Sequence, residues 1–204
     1  MKNNLVFEPA SHSYYLDGVI IPGYSEIAKA MGIVSYFGDN TNAMNFGSAF
    51  HLATKFLDKG TLDRDNLDTP LVSLLEGYEQ FKQDYLVEIL QEYMENPICS
   101  FTYRFGVTPD RIALVRGELS IIEFKTNTEM PPSVKLQTAA QKLAAEEYYK
   151  IKIKKRYGIQ FPLTGSYKPF PYKDKSDEYA WLNFLGAYNW LKREGLNGKR
   201  TNGT

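Results

Sequence analysis

Thr108-Pro109-Asp110, followed by Ile121-Ile122-Glu123-Phe124-Lys125, decides the reading of this chain. The second segment is an apolar run that ends in Glu-x-Lys, as expected where a buried strand reaches a sheet edge. Arg116-Gly117 is a tight-turn signal between the runs Arg111 to Val115 and Leu119 to Phe124, which predicts a hairpin. Closing that hairpin brings Asp110, at the start of one strand, beside Glu123, at the end of the other. Two carboxylates so placed can share a hard divalent cation that keeps several of its waters. Lys125, two residues past Glu123, leaves the same strand face and can orient a water or offset charge on a phosphate. The competing reading is a surface ion pair, with Lys125 solvated and paired to Glu129. Glu123-Phe124-Lys125 is the only Asp/Glu-x-Lys in the chain. An unpaired glutamate is costly where a buried strand ends, which favours the cation reading.

Working outward, residues 5–22 read as two short strands around the turn Leu16-Asp17-Gly18-Val19. Ser25 suits an N-cap for a short helix ended by Gly32, and Gly38 to Asn42 reads as loop. A helix is expected from about Ala43 to Leu57. Thr69-Pro70 reads as an N-cap with proline at N1, opening a long amphipathic helix with Leu71, Leu74, Leu75, Tyr78, Phe81, Tyr85, Ile89 and Tyr93 at helical spacing as far as about Glu95. Ile98 to Phe105 reads as a strand ahead of the hairpin. Ser133 caps a helix to about Tyr149. Lys150 to Arg156 alternates strictly, predicting a strand with one basic face that continues to Phe161. Ser176 caps a last helix through Trp181, Leu185 and Leu191, and the chain from Gly195 reads as a frayed tail. The order describes a mixed α/β fold, a small sheet flanked by helices.

The 204 residues fit one domain. Its expected parts are an N-terminal hairpin and short helix over 1–42, a core over 43–194 and a tail over 195–204. The hydrophobic fraction of 43% is ordinary for a chain with a real core. No apolar run spans a bilayer, and no apolar stretch follows Met1-Lys2-Asn3-Asn4 to make a secretory leader. A cytoplasmic, non-membrane protein is the expectation. Net charge is zero, which counts against extensive passive binding of nucleic acid but leaves room for a local basic site. Cys99 is alone, so neither a disulfide framework nor a four-cysteine cluster can form within the chain.

Further candidates lie beyond the hairpin. Gly47 and His51 fall one helical turn apart; imidazole can complete a metal shell, and a glycine admits a close approach by backbone or DNA. Taken without the rest of the pattern, His51 reads rather as a satisfied core histidine. Gln137 and Gln141 share a helix face and can bond a phosphate or a base edge, or form a solvated stripe. Lys150, Lys152, Lys154 and Arg156 can track a phosphate backbone, or protect an edge strand. The Phe124 carbonyl is a further candidate metal ligand. His12 reads as structural within the first hairpin.

Taken together and in order, these pieces resemble the PD-(D/E)XK nuclease superfamily, with a restriction-endonuclease-like core, and within it the RecB-like, phage-type exonucleases. Gly47 to His51 resembles the family's Gly-x-x-x-His helix. Gly106-Val107-Thr108-Pro109-Asp110 resembles its Gly-x-x-Asp element with one extra residue. Ile121 to Thr126 resembles its Glu-x-Lys strand, and Lys135 to Ala140 its glutamine-bearing helix. Gln141 stands where the family often has tyrosine. The resemblance implies Mg²⁺ or Mn²⁺ held by His51, Asp110, Glu123 and the Phe124 carbonyl. It implies a water-positioning Lys125 and a substrate-side Gln137. The single cysteine excludes the iron–sulfur branch. The implied activity is a metal-dependent DNA nuclease, an exonuclease on linear duplex ends, with DNA and a single-strand-annealing recombination protein as partners and with homo-oligomerisation open. An endonuclease or flap cutter on the same scaffold, and an inert DNA-binding module, are the alternatives.

Overall fold

The computed structural model describes residues 4–34 and 41–196. In chain order the strands are β1 (Leu5–Glu8), β2 (Ser13–Leu16), β3 (Val19–Ile21), β4 (Val87–Ile89), β5 (Ile98–Ser100), β6 (Phe105–Val107), β7 (Arg111–Val115), β8 (Glu118–Lys125), β9 (Lys155–Gln160) and β10 (Lys168–Pro171). The helices are α1 (Tyr24–Ala30), α2 (Thr41–Asp58), α3 (Thr69–Asp84), α4 (Ser133–Tyr149) and α5 (Ser176–Arg193). A five-stranded sheet runs in the order β10-β9-β8-β7-β4, with β8 and β9 parallel and the other pairs antiparallel. The parallel pair is joined through α4, the crossover that a parallel connection requires. Pro169 and Pro171 lie in β10 at one edge, where a missing donor is tolerated.

Strand β8 is central and covered on both faces, so Ser120 through Phe124 are all buried. Its alternation sorts the layers. Ile121 packs with residues of α1, α4 and α5, including Ile27, Ala140, Ala144 and Trp181. Ile122 and Phe124 pack on the other side against α2 and α3, among Phe50, Tyr78, Phe81 and Phe161. Phe124 meets Tyr78 at a centroid distance of 5.3 Å and Phe161 at 5.6 Å, both edge-on. A mixed α/β fold with a small sheet between helices is therefore what the chain forms. Among the described residues no helix is long and apolar enough to cross a membrane.

Several local expectations are corrected. The N-terminal segment makes three strands, not two. The long helix from Thr69 ends at Asp84. Leu86 adopts φ 47°, and Val87 and Ile89 then pair with Val115 and Ala113 at the sheet edge. The apolar spacing carried through Ile89 because an edge strand beneath a helix buries the same kinds of side chain. Ile98 to Phe105 splits into β5 and β6. The basic strand begins only at Lys155. Lys150 closes α4 in the left-handed region at φ 58°, and Ile151 and Ile153 turn into the core beside α4, which mimics strand alternation. The residues expected as N-caps, Ser25, Thr69, Ser133 and Ser176, all lie inside their helices. The caps are Gly23, Asp68, Pro132 and Lys175, and none makes a side-chain cap bond. The expected loop at Gly38 to Asn42 lies partly outside the described residues, and Thr41 and Asn42 belong to α2. Most of the tail lies outside them too.

Candidate functional site

The register of the central hairpin pairs Arg111 with Ile122, so Asp110 stands one step beyond, against Glu123 and Phe124. The Phe124 N–H donates to Asp110 Oδ2 at 2.7 Å, which ties the aspartate to the end of β8. Helix α2 delivers His51, whose Nδ1 lies 3.2 Å from Asp110 Oδ1. Glu123, 3% exposed, faces α4. Its Oε1 accepts from Lys125 Nζ at 2.6 Å and Gln137 Nε2 at 2.7 Å, and its Oε2 accepts from Gln141 Nε2 at 2.9 Å. Both glutamines are thus committed to a carboxylate, and Gln141 is buried with its Oε1 lacking a partner. Gly47 sits one turn before His51, and a Cβ there would meet Thr126 Oγ1 at an ordinary 3.6 Å.

Asp110, Glu123, Lys125, His51, Gln137 and Gln141 therefore converge from α2, β8, α4 and the turn before β7. Lys152 and Lys154 do not join them. The Lys154 N–H bonds the Leu119 carbonyl at 2.8 Å, four residues before Glu123 and roughly 13 Å back along the strand. Lys152 pairs with Glu146 at 3.1 Å on the surface. Arg156 is buried and bonds Asp177 at 2.7 Å, so it is no part of a basic face.

The two carboxyls are driven apart electrostatically. Burial raises Glu123, and the neighbouring Asp110 charge raises it further, against Lys125 and Gln141, so it is held above its ordinary range. Burial would also raise Asp110. The His51 charge and hydrogen bond, Lys125 and the Phe124 N–H outweigh this and hold it at about 2. Burial opposes charge on His51, but Asp110 and then Glu123 favour the imidazolium, and the net shift is upward.

Sequence reasoning missed two supports. Behind Asp110, the Arg111 guanidinium is 1% exposed and pairs with the fully buried Asp58 at 2.9 Å. Its one signal was a charge opening the otherwise apolar run Arg111 to Val115. In front, the Tyr14 hydroxyl of β2 lies 2.8 Å from Thr108 Oγ1, and the Tyr14 ring covers Gly106. No local pattern announces contacts spanning 94 residues.

The donor chemistry fits a hard cation. A buried carboxylate, Glu123, and a partly buried one, Asp110, repel one another, an imidazole adjoins, and a divalent ion between oxygens would relieve the repulsion. Among the described residues no three His, Cys, Asp or Glu side chains form a ready-made cluster. The reason is local: Glu123 is turned to Lys125, Gln137 and Gln141, and Asp110 Oδ2 to a backbone N–H.

No family model and no curated protein matches the chain. Among solved structures, the chain is similar to the crystal structure of an alkaline exonuclease (LHK-Exo) from Laribacter hongkongensis. Sequence identity is 14%, the match covers 83% of this chain and 91% of that one, and the TM-score is 0.40.

Proposed function

We propose that this protein is a divalent-cation-dependent deoxyribonuclease that degrades linear duplex DNA from its ends, a RecB-like member of the PD-(D/E)XK superfamily with one nuclease domain over 1–194. One observation carries the reading. Asp110, fixed to the Phe124 N–H and set against His51, and Glu123, bonded to Lys125, occupy neighbouring positions across one hairpin.

Mg²⁺ or Mn²⁺ would be held by Asp110, Glu123 and the Phe124 carbonyl, with His51 completing the set. Bound there, the ion supplies Lewis acidity to a water and to the scissile phosphate. The remaining work falls to the chain. Lys125 donates to the attacking water and offsets the charge that grows on the phosphate oxygens. Gln137, released from Glu123, donates to a phosphate oxygen. The Phe124 N–H keeps Asp110 from rotating away. Gly47 leaves room for the DNA strand to pass close to α2. Lys152 and Lys154 bind backbone phosphates at a distance from the reaction. The resemblance extends the proposal to a cytoplasmic enzyme of phage or mobile-element recombination, working with a single-strand-annealing protein and able to self-associate. No iron–sulfur cluster takes part, since Cys99 is the only cysteine.

A second reading, an inert DNA-binding module, is favoured by the full engagement of Glu123 with protein donors. Incubation of linear and closed-circular duplexes with Mg²⁺, Mn²⁺ or chelator separates the two. Loss of linear DNA alone supports the exonuclease, and cutting of circles moves the proposal to an endonuclease. Retained binding without cleavage under any metal supports the inert module.

A further inference from the structure

We propose that Arg111 is a positioning residue that sets His51, Asp110 and Phe124 relative to one another through a buried polar network; this rests on the nuclease reading above. One guanidinium reaches all three elements. Its Nε donates to Asp58 Oδ2 at 2.9 Å and a terminal nitrogen donates to Thr54 Oγ1 at 3.3 Å, both on α2, the helix that carries His51. The other terminal nitrogen donates to the Asp110 carbonyl at 2.7 Å and to Glu95 Oε1 at 3.3 Å. Its carbon lies 5.3 Å from the centre of the Phe124 ring.

Two features go beyond what packing requires. A buried ion pair is often replaceable by apolar residues without loss of stability, so Arg111 and Asp58 are poorly explained as stabilisers. Glu95, which also pairs with Lys55 at 2.8 Å, holds a left-handed φ of 49° and directs its N–H to the same Asp110 carbonyl at 3.4 Å. A non-glycine residue in that region carries a conformational cost. The planar fork of arginine can bond several groups in fixed directions at once, which lysine cannot. The network thus fixes the backbone of the aspartate and the height of the histidine helix together.

The test uses the full chain carrying Asp58→Asn with Arg111→Met, which removes both charges of the pair; Glu95 keeps Lys55, and Lys82, which loses Asp58, is partly exposed to solvent. Folding is checked by circular dichroism and cooperative urea unfolding. Mn²⁺ affinity, read by electron paramagnetic resonance without DNA, falls by roughly ten- to a hundredfold. Turnover on linear duplex falls by at least about tenfold while KM stays within about threefold, the signature of lost positioning rather than lost binding. A folded double variant with wild-type Mn²⁺ affinity and turnover overturns the proposal. If the double variant does not fold, Thr54→Val and Glu95→Ala each remove one hydrogen-bond acceptor of Arg111. Each is then expected to lower Mn²⁺ affinity by about tenfold, the small end of such effects, and unchanged affinity in both overturns the proposal. Wild-type protein that binds Mn²⁺ but leaves DNA intact overturns the nuclease reading and leaves Arg111 to be judged on affinity alone. Wild-type protein that does neither overturns both.

Discussion

The ring of Tyr14 occupies the space above Gly106 so closely that a Cβ there would lie 2.2 Å from Tyr14 Cγ. The same tyrosine bonds Thr108, two residues before Asp110, and the Gly106 N–H bonds the Pro22 carbonyl at 2.9 Å. The N-terminal hairpin is thereby pressed against the segment that leads into the aspartate. Gly106→Ala is expected to cost about 1–3 kcal/mol through overpacking, measured by urea denaturation. Tyr14→Phe keeps the ring and loses one hydrogen bond, about 1 kcal/mol. A Gly106→Ala protein as stable as wild type would refute the steric account.

Glu123→Ala is expected to lower cleavage of linear DNA by on the order of 10³ or more, since a ligand and the partner of Lys125 go together. The fold should survive, because the residue sits at a strand end. Cleavage within tenfold of wild type, in a gel assay with Mg²⁺, would reject the site.

Glu123→Gln is expected to raise the stability of the metal-free protein at neutral pH. The folded state holds this carboxyl above its ordinary range. Its favourable, protonated contribution is complete below the unfolded value and is lost as pH rises through the folded one. The amide removes that loss and the repulsion from Asp110. Thermal melts at pH 5 and pH 8 check this: the gap between variant and wild type should widen at the higher pH.

Asp110 behaves oppositely. Its carboxyl is lowered from 3.8 to about 2, so its contribution is present above the unfolded value and disappears as pH falls through the folded one. Acid titration between pH 4 and 2 should show Asp110→Asn losing less stability than wild type, by on the order of 2 kcal/mol. Parallel acid curves would contradict the His51 and Phe124 contacts.

Lys152→Glu with Lys154→Glu is expected to raise KM for DNA and reduce its salt dependence while sparing turnover, because Lys154 is tied to Leu119, roughly 13 Å along the strand from Glu123, and Lys152 pairs with Glu146 on the surface. A fall in turnover at saturating DNA would show that the basic segment acts at the reaction itself.

Much of the architecture was legible from periodicity. Strand β8 announced itself because both of its faces are covered, leaving a continuous apolar run, and Arg116-Gly117 made its turn with φ values of 51° and 78°. Helix ends were poorly legible, because four helices start without any side-chain cap and so ignored the serine and threonine signals. Within the candidate site, Asp110 and Glu123 were readable together because antiparallel pairing is a local rule. The commitment of Gln137 and Gln141 to Glu123 was not readable, since it depends on how the crossover helix lies on the sheet. Arg156 was misread for a related reason: β9 is an interior strand, so its charge had to turn inward toward Asp177. Asp58 and Tyr14 were invisible, as nothing near them in the chain reveals a partner so far away.

The hold of Lys125, Gln137 and Gln141 on Glu123 makes an ammonium the native counter-ion of the acidic pair. The charge on Glu123 is thereby met by donors of the chain itself, and His51 does the same for Asp110. On the nuclease reading proposed above, an ion entering the site would have to displace those donors from Glu123 first, and its affinity would be lower by that cost.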